Sequence, residues 1–324
     1  MNYVHTILII GAGQIGSRHL QGLKRCVHPL RIYVVDIDPH SLRISKQRWQ
    51  EAGILSHSQK TVSYHHELAD CPNEIDVVIV ATAAFGRVDI IAKVLNFSIV
   101  RYWILEKVLV QSPAELDRLL ALFDGESSVW VNLPRRSLAW HSLIRDKLLR
   151  ESLLHLKVFG ESWGLACNSL HFIDMFAWFS GESLVRVVTT NLRKEWIEAK
   201  RPGNWEVMGE LIAHFSGGSS ATLVVLDGQK REAWYKFELH DDRFVWHIDE
   251  EGGLAVRSDG LSIPGKVPYQ SSETPLLVDQ ILFSGQCELP TLVDSAQTHR
   301  LFLDALLSHW RETVDSAAVR VPIT

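Results

Sequence analysis

Short apolar runs alternate with segments of helical spacing through the first part of the chain. The runs cover residues 6–10, 30–36, 76–82, 99–105 and 129–133, with a weaker one at 61–64. The intervening segments 17–23, 39–53, 87–95 and 113–123 repeat apolar residues at the spacing of one helix face, and residues 65–68 begin a short helix. Pro113 suits a first helical position, with Ser112 before it as N-cap. The run 76–82 is continuously hydrophobic and ends in small residues, as a fully buried parallel strand does. Strands and helices alternating at this spacing predict a doubly wound parallel sheet.

The pattern changes near Pro134-Arg135-Arg136. Strand-like segments then follow at 156–159, 184–190, 207–215, 221–226, 234–240 and 244–248. Turn signals lie between several of them: Ser216-Gly217-Gly218-Ser219, Asp227-Gly228 and Glu251-Gly252-Gly253. Consecutive strands joined by short turns predict a mainly antiparallel sheet, interrupted by one helix over 168–179 and closed by another over 295–314. The expected architecture is therefore an α/β domain followed by an α+β domain. The turn at Asp124-Gly125-Glu126 divides them into 1–125 and 126–324.

Length and composition agree. A chain of 324 residues is long enough for two cores, and 46% hydrophobic with 22% charged residues is ordinary for a globular protein. A net charge of −5 gives no reason to expect nucleic acid or an anionic membrane as partner. Cys26, Cys71, Cys167 and Cys287 are scattered without a CxxC pair and read as reduced, buried thiols. The first strand begins almost at the amino terminus, leaving no room for a signal peptide, and no apolar run approaches a membrane span. A cytoplasmic protein is expected.

The first strand runs into Gly11-Ala12-Gly13-Gln14-Ile15-Gly16, a Gly-x-Gly-x-x-Gly turn that opens a helix. Strand, turn and helix together make this a dinucleotide fingerprint. Gly11 permits the tight turn, Gly13 lets the backbone approach a pyrophosphate, and Gly16 lets helix and strand pack closely. No Gly-Lys-Ser/Thr follows, which excludes a Walker-type phosphate loop. Asp36 ends the second strand, where a carboxylate accepts hydrogen bonds from ribose hydroxyls and repels a 2′-phosphate. NAD is expected over NADP, the other reading of Asp36 being a surface turn residue.

Two further stretches carry chemistry. Ala81, Thr82 and Ala83 end the fourth strand at the cofactor edge of the sheet, and Glu106-Lys107 ends the fifth. A lysine there exchanges a proton with a substrate hydroxyl, or is half of a solvated Glu-Lys pair. In Cys167-Asn168-Ser169-Leu170-His171-Phe172-Ile173-Asp174, helical spacing puts Asn168, His171, Asp174 or Met175, and Trp178 on one face. That stripe either lines a cleft or holds His171 and Asp174 as a hydrogen-bonded core pair.

The ordered set of motifs resembles the Gfo/Idh/MocA oxidoreductase family over nearly the whole chain. It comprises Gly11 to Gly16 with Ser17-Arg18-His19, Ala81-Thr82, Glu106-Lys107 for Glu-Lys-Pro, His171-x-x-Asp174, and Pro290 to Ala296 before the last helix. The resemblance implies a Rossmann domain, then an α+β domain with an open sheet that often mediates oligomerisation, here as a dimer or tetramer. It implies NAD(P)-dependent oxidation or reduction of sugars, inositols or their derivatives. Lys107 and His171 become the catalytic pair, supported by Asn168, Asp174 and Cys167. Gly11, Gly13, Gln14, Ile15, Gly16, Asp36, Ala81, Thr82, Ala83, Glu106 and Lys107 become cofactor contacts.

His171 would exchange the hydroxyl proton and Lys107 would orient the substrate oxygen. Arg135 or Arg136 would bind an anionic substituent or lie solvated. Trp163, Trp178, Trp196, Trp205 and Asn204 are candidates for specificity. Three departures stand out. Val108 replaces the proline of the motif, which is commonly preceded by a cis peptide, so a different turn is expected. Cys167 stands where many members have an aspartate, and Ala83 and Arg87 stand where many have proline and histidine. The missing carboxylate keeps a second reading open, a non-catalytic NAD-binding regulatory protein. A third is an oxidoreductase that retains its nicotinamide and regenerates it with a second substrate.

Overall fold

A computed structural model describes residues 3–53, 58–124, 128–149, 152–226 and 233–324. Gly125 and Glu126 of the expected boundary turn, and the Asp227-Gly228 turn, lie outside the described residues. The chain divides into two compact units. One comprises Met1–Leu109, Arg118–Asn132 and Pro268–Val293, and the other Val110–Asp117, Leu133–Val267 and Asp294–Thr324.

The first unit is built on a six-stranded parallel sheet of β1 (His5–Ile10), β2 (Leu30–Val35), β3 (Lys60–His65), β4 (Glu74–Val80), β5 (Ile99–Glu106) and β6 (Val129–Asn132). The order is β3-β2-β1-β4-β5-β6, with the reversal between β1 and β4. Ile7 registers with both Ile32 and Val77, and these residues are fully buried with Ile9, Val34 and Ile79. Burying each such side chain contributes roughly 1.5–3 kcal/mol. Helices α1 (Gln14–Leu23), α2 (Pro39–Glu51) and α3 (Arg87–Phe97) connect the strands, followed by α4 (Pro113–Phe123). Ser112 caps α4 as expected, accepting from the Glu115 amide at 3.2 Å.

The second unit holds an eight-stranded sheet. Its first strand is β7 (His155–Glu161), followed by β8 (Leu184–Glu198), β9 (Trp205–Phe215), β10 (Ser220–Val225), β11 (Trp234–His240), β12 (Val245–Asp249), β13 (Leu254–Arg257) and β14 (Ser262–Pro264). The order is β14-β13-β12-β11-β7-β10-β9-β8. All neighbours are antiparallel except β7 and β10, which run parallel. A helix and two strands intervene between them, so a hairpin cannot join them. Alternation is clean along β10 and β11, burying Ala221, Leu223, Phe237 and Leu239. Helix α6 (Leu165–Ser180) packs on this sheet, with Phe176 edge-on to Phe215 at 4.9 Å between centroids.

The elements not anticipated include β13, β14, α5 (Ala139–Arg145) and a helix α7 (Gln270–Ser284). The two strands are short and lie at the sheet edge. Helix α7 starts in a polar stretch and carries Pro275 in its interior, so its sequence lacks both periodicity and helical propensity. It belongs to the first unit, where Leu277, Val278 and Ile281 enter the core and Ser271 lies against Gly22 of α1. The last helix is α8 (Leu292–Thr313).

Candidate active site

The glycine turn ties three strand ends together. Gly11 has φ +91° and its amide donates to Val35 O of β2 at 2.8 Å, while Ala81 N donates to Ile10 O at 2.7 Å. A Cβ on Gly16 would meet Gly11 O at 1.7 Å, so that position must be glycine for α1 to seat on the turn. A Cβ on Gly13 would meet nothing within 4 Å. Packing within the chain therefore does not require glycine at 13, whereas a close ligand would.

Asp36 is half-buried at the end of β2 and receives Ala12 N at 2.6 Å and Asp38 N at 2.8 Å, one on each oxygen. Each oxygen keeps a further acceptor site for a ribose hydroxyl. Gln14 and Ile15 are exposed on the first turn of α1, Gln14 accepting from Arg48 at 2.7 Å. At the end of β4, Ala81 is buried while Thr82 and Ala83 are half-buried. The Thr82 hydroxyl is buried with no hydrogen-bond partner among the described residues. These residues fit a dinucleotide: an open face at Gly13, a carboxylate at the ribose position and an unsatisfied hydroxyl at the adjoining strand end.

Glu106 is not half of a solvated pair. It is buried, with Oε1 2.9 Å from His19 Nε2 and accepting from Asn132 Nδ2 at 2.5 Å. His19 Nδ1 lies 2.9 Å from Thr274 Oγ1, and Asn132 also donates to Gln270 at 2.9 Å. Burial favours the neutral acid, but His19, Asn132 and the Lys107 charge outweigh it and hold Glu106 below the ordinary carboxyl range. Lys107 follows, half-buried in an otherwise buried stretch. The Lys107–Val108 peptide is cis.

Arg87, set aside above as a departure, is 1% exposed. Its guanidinium donates to the main-chain oxygens of Thr82, Glu106, Val108 and Leu109. His19, Arg87 and Asn132 were not singled out for a role from the sequence. Asn132 ends β6, while His19 lies inside α1 and Arg87 opens α3.

In the second unit, α6 carries Cys167, Asn168, His171 and Asp174. Cys167, Asn168 and His171 are half-buried, and Met175 is fully buried. The helix begins after Gly164 at φ +79°, where Asn168 Nδ2 donates to Trp163 O at 2.6 Å. Glu206 of β9 accepts from Ala166 N at 2.8 Å and Cys167 N at 3.2 Å, placing a carboxylate at this helix start that sequence reading missed.

Asp174 is paired with Arg136, through Arg136 Nε at 2.9 Å and a second contact from Nη2. Burial, aided by nearby Asp294, pushes Asp174 up to about 6 despite the guanidinium. Arg135 is likewise committed, donating to Glu250 at 2.9 Å and to Tyr235 at 2.9 Å, with Glu250 also 3.1 Å from His141. Burial opposes the Glu250 charge, but Arg135 and His141 hold it well below the ordinary range. Both arginines are half-buried and paired with internal carboxylates.

Of the tryptophans, Trp196 is edge-on to Trp310 and donates to His309, Trp205 packs on Trp310, and Trp163 donates to Val224 O. Asn204 is buried in the turn before β9. These contacts give them packing roles. The cysteines also differ from expectation, since only Cys26 is fully buried. Among the described residues no cluster of metal-ligating side chains occurs, and no helix is long and apolar enough to cross a membrane.

The Gfo/Idh/MocA family, an oxidoreductase family with an NAD-binding Rossmann fold, matches residues 5–133. No curated protein matches the chain by sequence. Solved structures share the fold over both units. A levoglucosan dehydrogenase in complex with NADH is 14% identical with a TM-score of 0.70, covering 96% of this chain and 98% of its own. A scyllo-inositol dehydrogenase from Lactobacillus casei with bound NAD(H) and scyllo-inositol is 16% identical, TM-score 0.67, covering 96% and 98%. A myo-inositol 2-dehydrogenase from Lactobacillus plantarum is 17% identical, TM-score 0.68, covering 95% and 97%.

Proposed function

We propose that this chain is an NAD-dependent oxidoreductase that moves a hydride between nicotinamide and a carbon bearing a secondary hydroxyl or ketone in a sugar, inositol or related polyol. The observation that carries the reading is the family match over the Rossmann strands, the region that holds the glycine turn, Asp36 and Glu106-Lys107. NAD, when bound, supplies the hydride acceptor or donor. Gly11, Gly13, Gln14, Ile15 and Gly16 would hold its pyrophosphate, Asp36 its adenosine ribose, and Ala81, Thr82 and Ala83 would border the nicotinamide half. Glu106, held ionised by His19 and Asn132, anchors the base of the Lys107 turn from within the unit.

Lys107 and His171 are the proposed catalytic pair. His171 takes or returns the hydroxyl proton, and the Lys107 ammonium stabilises charge that develops on the substrate oxygen. Asn168 and Cys167 shape the helix turn that precedes His171, and Asp174 fixes Arg136 one turn beyond it. The protein would act in the cytoplasm as a homo-oligomer, with sheet faces of the second unit as the candidate contact.

The test is NADH formation with levoglucosan, scyllo-inositol, myo-inositol and a sugar nucleotide, with NAD and NADP compared. Turnover with NAD at least tenfold better than with NADP is expected. Tight NAD binding without turnover of any polyol would favour the non-catalytic reading that Cys167 keeps open.

A further inference from the structure

We infer that Arg87 is a positioning residue whose guanidinium fixes the backbone that carries Lys107. The inference rests on the catalytic reading of Lys107 given above. Arg87 is the first residue of α3 and is 1% exposed. Nη1 donates to Glu106 O, Val108 O and, at 3.1 Å, Leu109 O, while Nη2 donates to Thr82 O. Two of those oxygens belong to the residues on either side of Lys107. The fourth acceptor lies at the end of β4, the strand paired with β5. One side chain therefore joins two adjacent strand ends and holds the Lys107 backbone from both sides.

Two physical points favour a positioning role. The chain leaves the sheet after Glu106, so the buried carbonyls beyond it have no ladder partner and need another donor. Burying a cation to supply that donor is costly, and a plain turn would not require it. What the guanidinium adds is geometry: a rigid planar fork reaches separated acceptors at once, whereas a lysine ammonium is a single point donor. The Lys107 side chain then starts from a fixed Cα and samples few positions, as a group that orients a reacting oxygen must.

The experiment uses the full chain with NADH as the cofactor probe and compares wild type, Arg87→Lys, Arg87→Met, Lys107→Met and the Arg87→Lys/Lys107→Met double variant. Acylation of Lys107 by acetic anhydride is read by mass spectrometry against exposed Lys46 and Lys93. The expected result for Arg87→Lys is an NADH Kd within twofold of wild type and Lys107 acylation at least fivefold faster. With the polyol that wild type oxidises, kcat falls at least tenfold, and the same change costs less than twofold further in the Lys107→Met background. Should Arg87→Met not fold, Arg87→Lys decides alone. Unchanged Lys107 acylation and unchanged kcat would overturn the inference, as would an equal loss in both backgrounds. Full activity of Lys107→Met would instead overturn the catalytic reading of Lys107, while acylation still reports whether Arg87 holds the turn.

Discussion

The two units bury charge in different ways. In the Rossmann unit, Glu106 is stabilised by His19 and Asn132, and Arg87 by main-chain carbonyls at strand ends. There the carboxylate is met by side-chain hydrogen-bond partners and the guanidinium by main-chain carbonyls. In the second unit, buried charge is matched by opposite charge: Arg135 with Glu250, and Arg136 with Asp174. The consequence appears in the carboxyls. Glu106 stays below the ordinary range, whereas Asp174 is pushed up to about 6 by burial that its guanidinium does not fully offset. A buried carboxylate is kept ionised by the number and placement of its donors as well as by a nearby positive charge.

The largest expected effect breaks the Arg135–Glu250 pair. Arg135→Met leaves Glu250 buried without its main partner and is expected to cost about 3–5 kcal/mol in chemical denaturation, with much of the loss recovered by adding Glu250→Leu. A double variant no more stable than the single would show that the pair is not the source of the loss.

Next comes the pH dependence, which has opposite signs at Asp174 and Glu106. Asp174 has a raised folded pKa, so its contribution is fully present below the unfolded value, and it is lost as pH rises through about 6. A shift from 3.8 to about 6 corresponds to about 3 kcal/mol, and Asp174→Asn removes that slope. Glu106 has a lowered folded pKa, so its contribution is present above the unfolded value and is lost as pH falls through the folded one. Glu106→Gln is expected to flatten the acid limb only. Denaturation midpoints measured from pH 2 to 8 check both, and slopes of the same sign would contradict the contrast.

Smaller effects separate the glycines. Gly16→Ala forces a Cβ to 1.7 Å from Gly11 O and is expected to destabilise by about 1–3 kcal/mol. Gly13→Ala enters open space, so the melting temperature is expected to hold while NADH Kd rises at least tenfold. A Gly13→Ala variant that binds NADH normally would remove Gly13 from the cofactor site.

The same contrast explains what was legible in the sequence. Strands of the first sheet and its glycine turn follow from local pattern: apolar runs, small residues and a carboxylate at the end of β2. The order β3-β2-β1-β4-β5-β6 is the usual consequence of such alternation. The partners of the second unit were not legible, because Arg135 meets a residue 115 positions away and Arg136 one 38 away. Helix α7 was missed because its pattern is weak and it serves the first unit from the far end of the chain. The parallel pairing of β7 and β10 was missed because short turns suggested hairpins throughout. Arg87 looked like a departure and proved to be a clamp, since only the fold reveals which carbonyls lack a ladder.

The central claim concerns hydride transfer to NAD by this chain, and isotope transfer measures it most directly. The polyol found by the substrate panel is deuterated at its hydroxyl-bearing carbons and oxidised with NAD. The account predicts deuterium at C4 of the nicotinamide in wild type. It also predicts rates lowered roughly 10²–10⁴-fold in Lys107→Met and His171→Asn, each still binding NADH. No deuterium in the cofactor, or full rates in both variants, would contradict it.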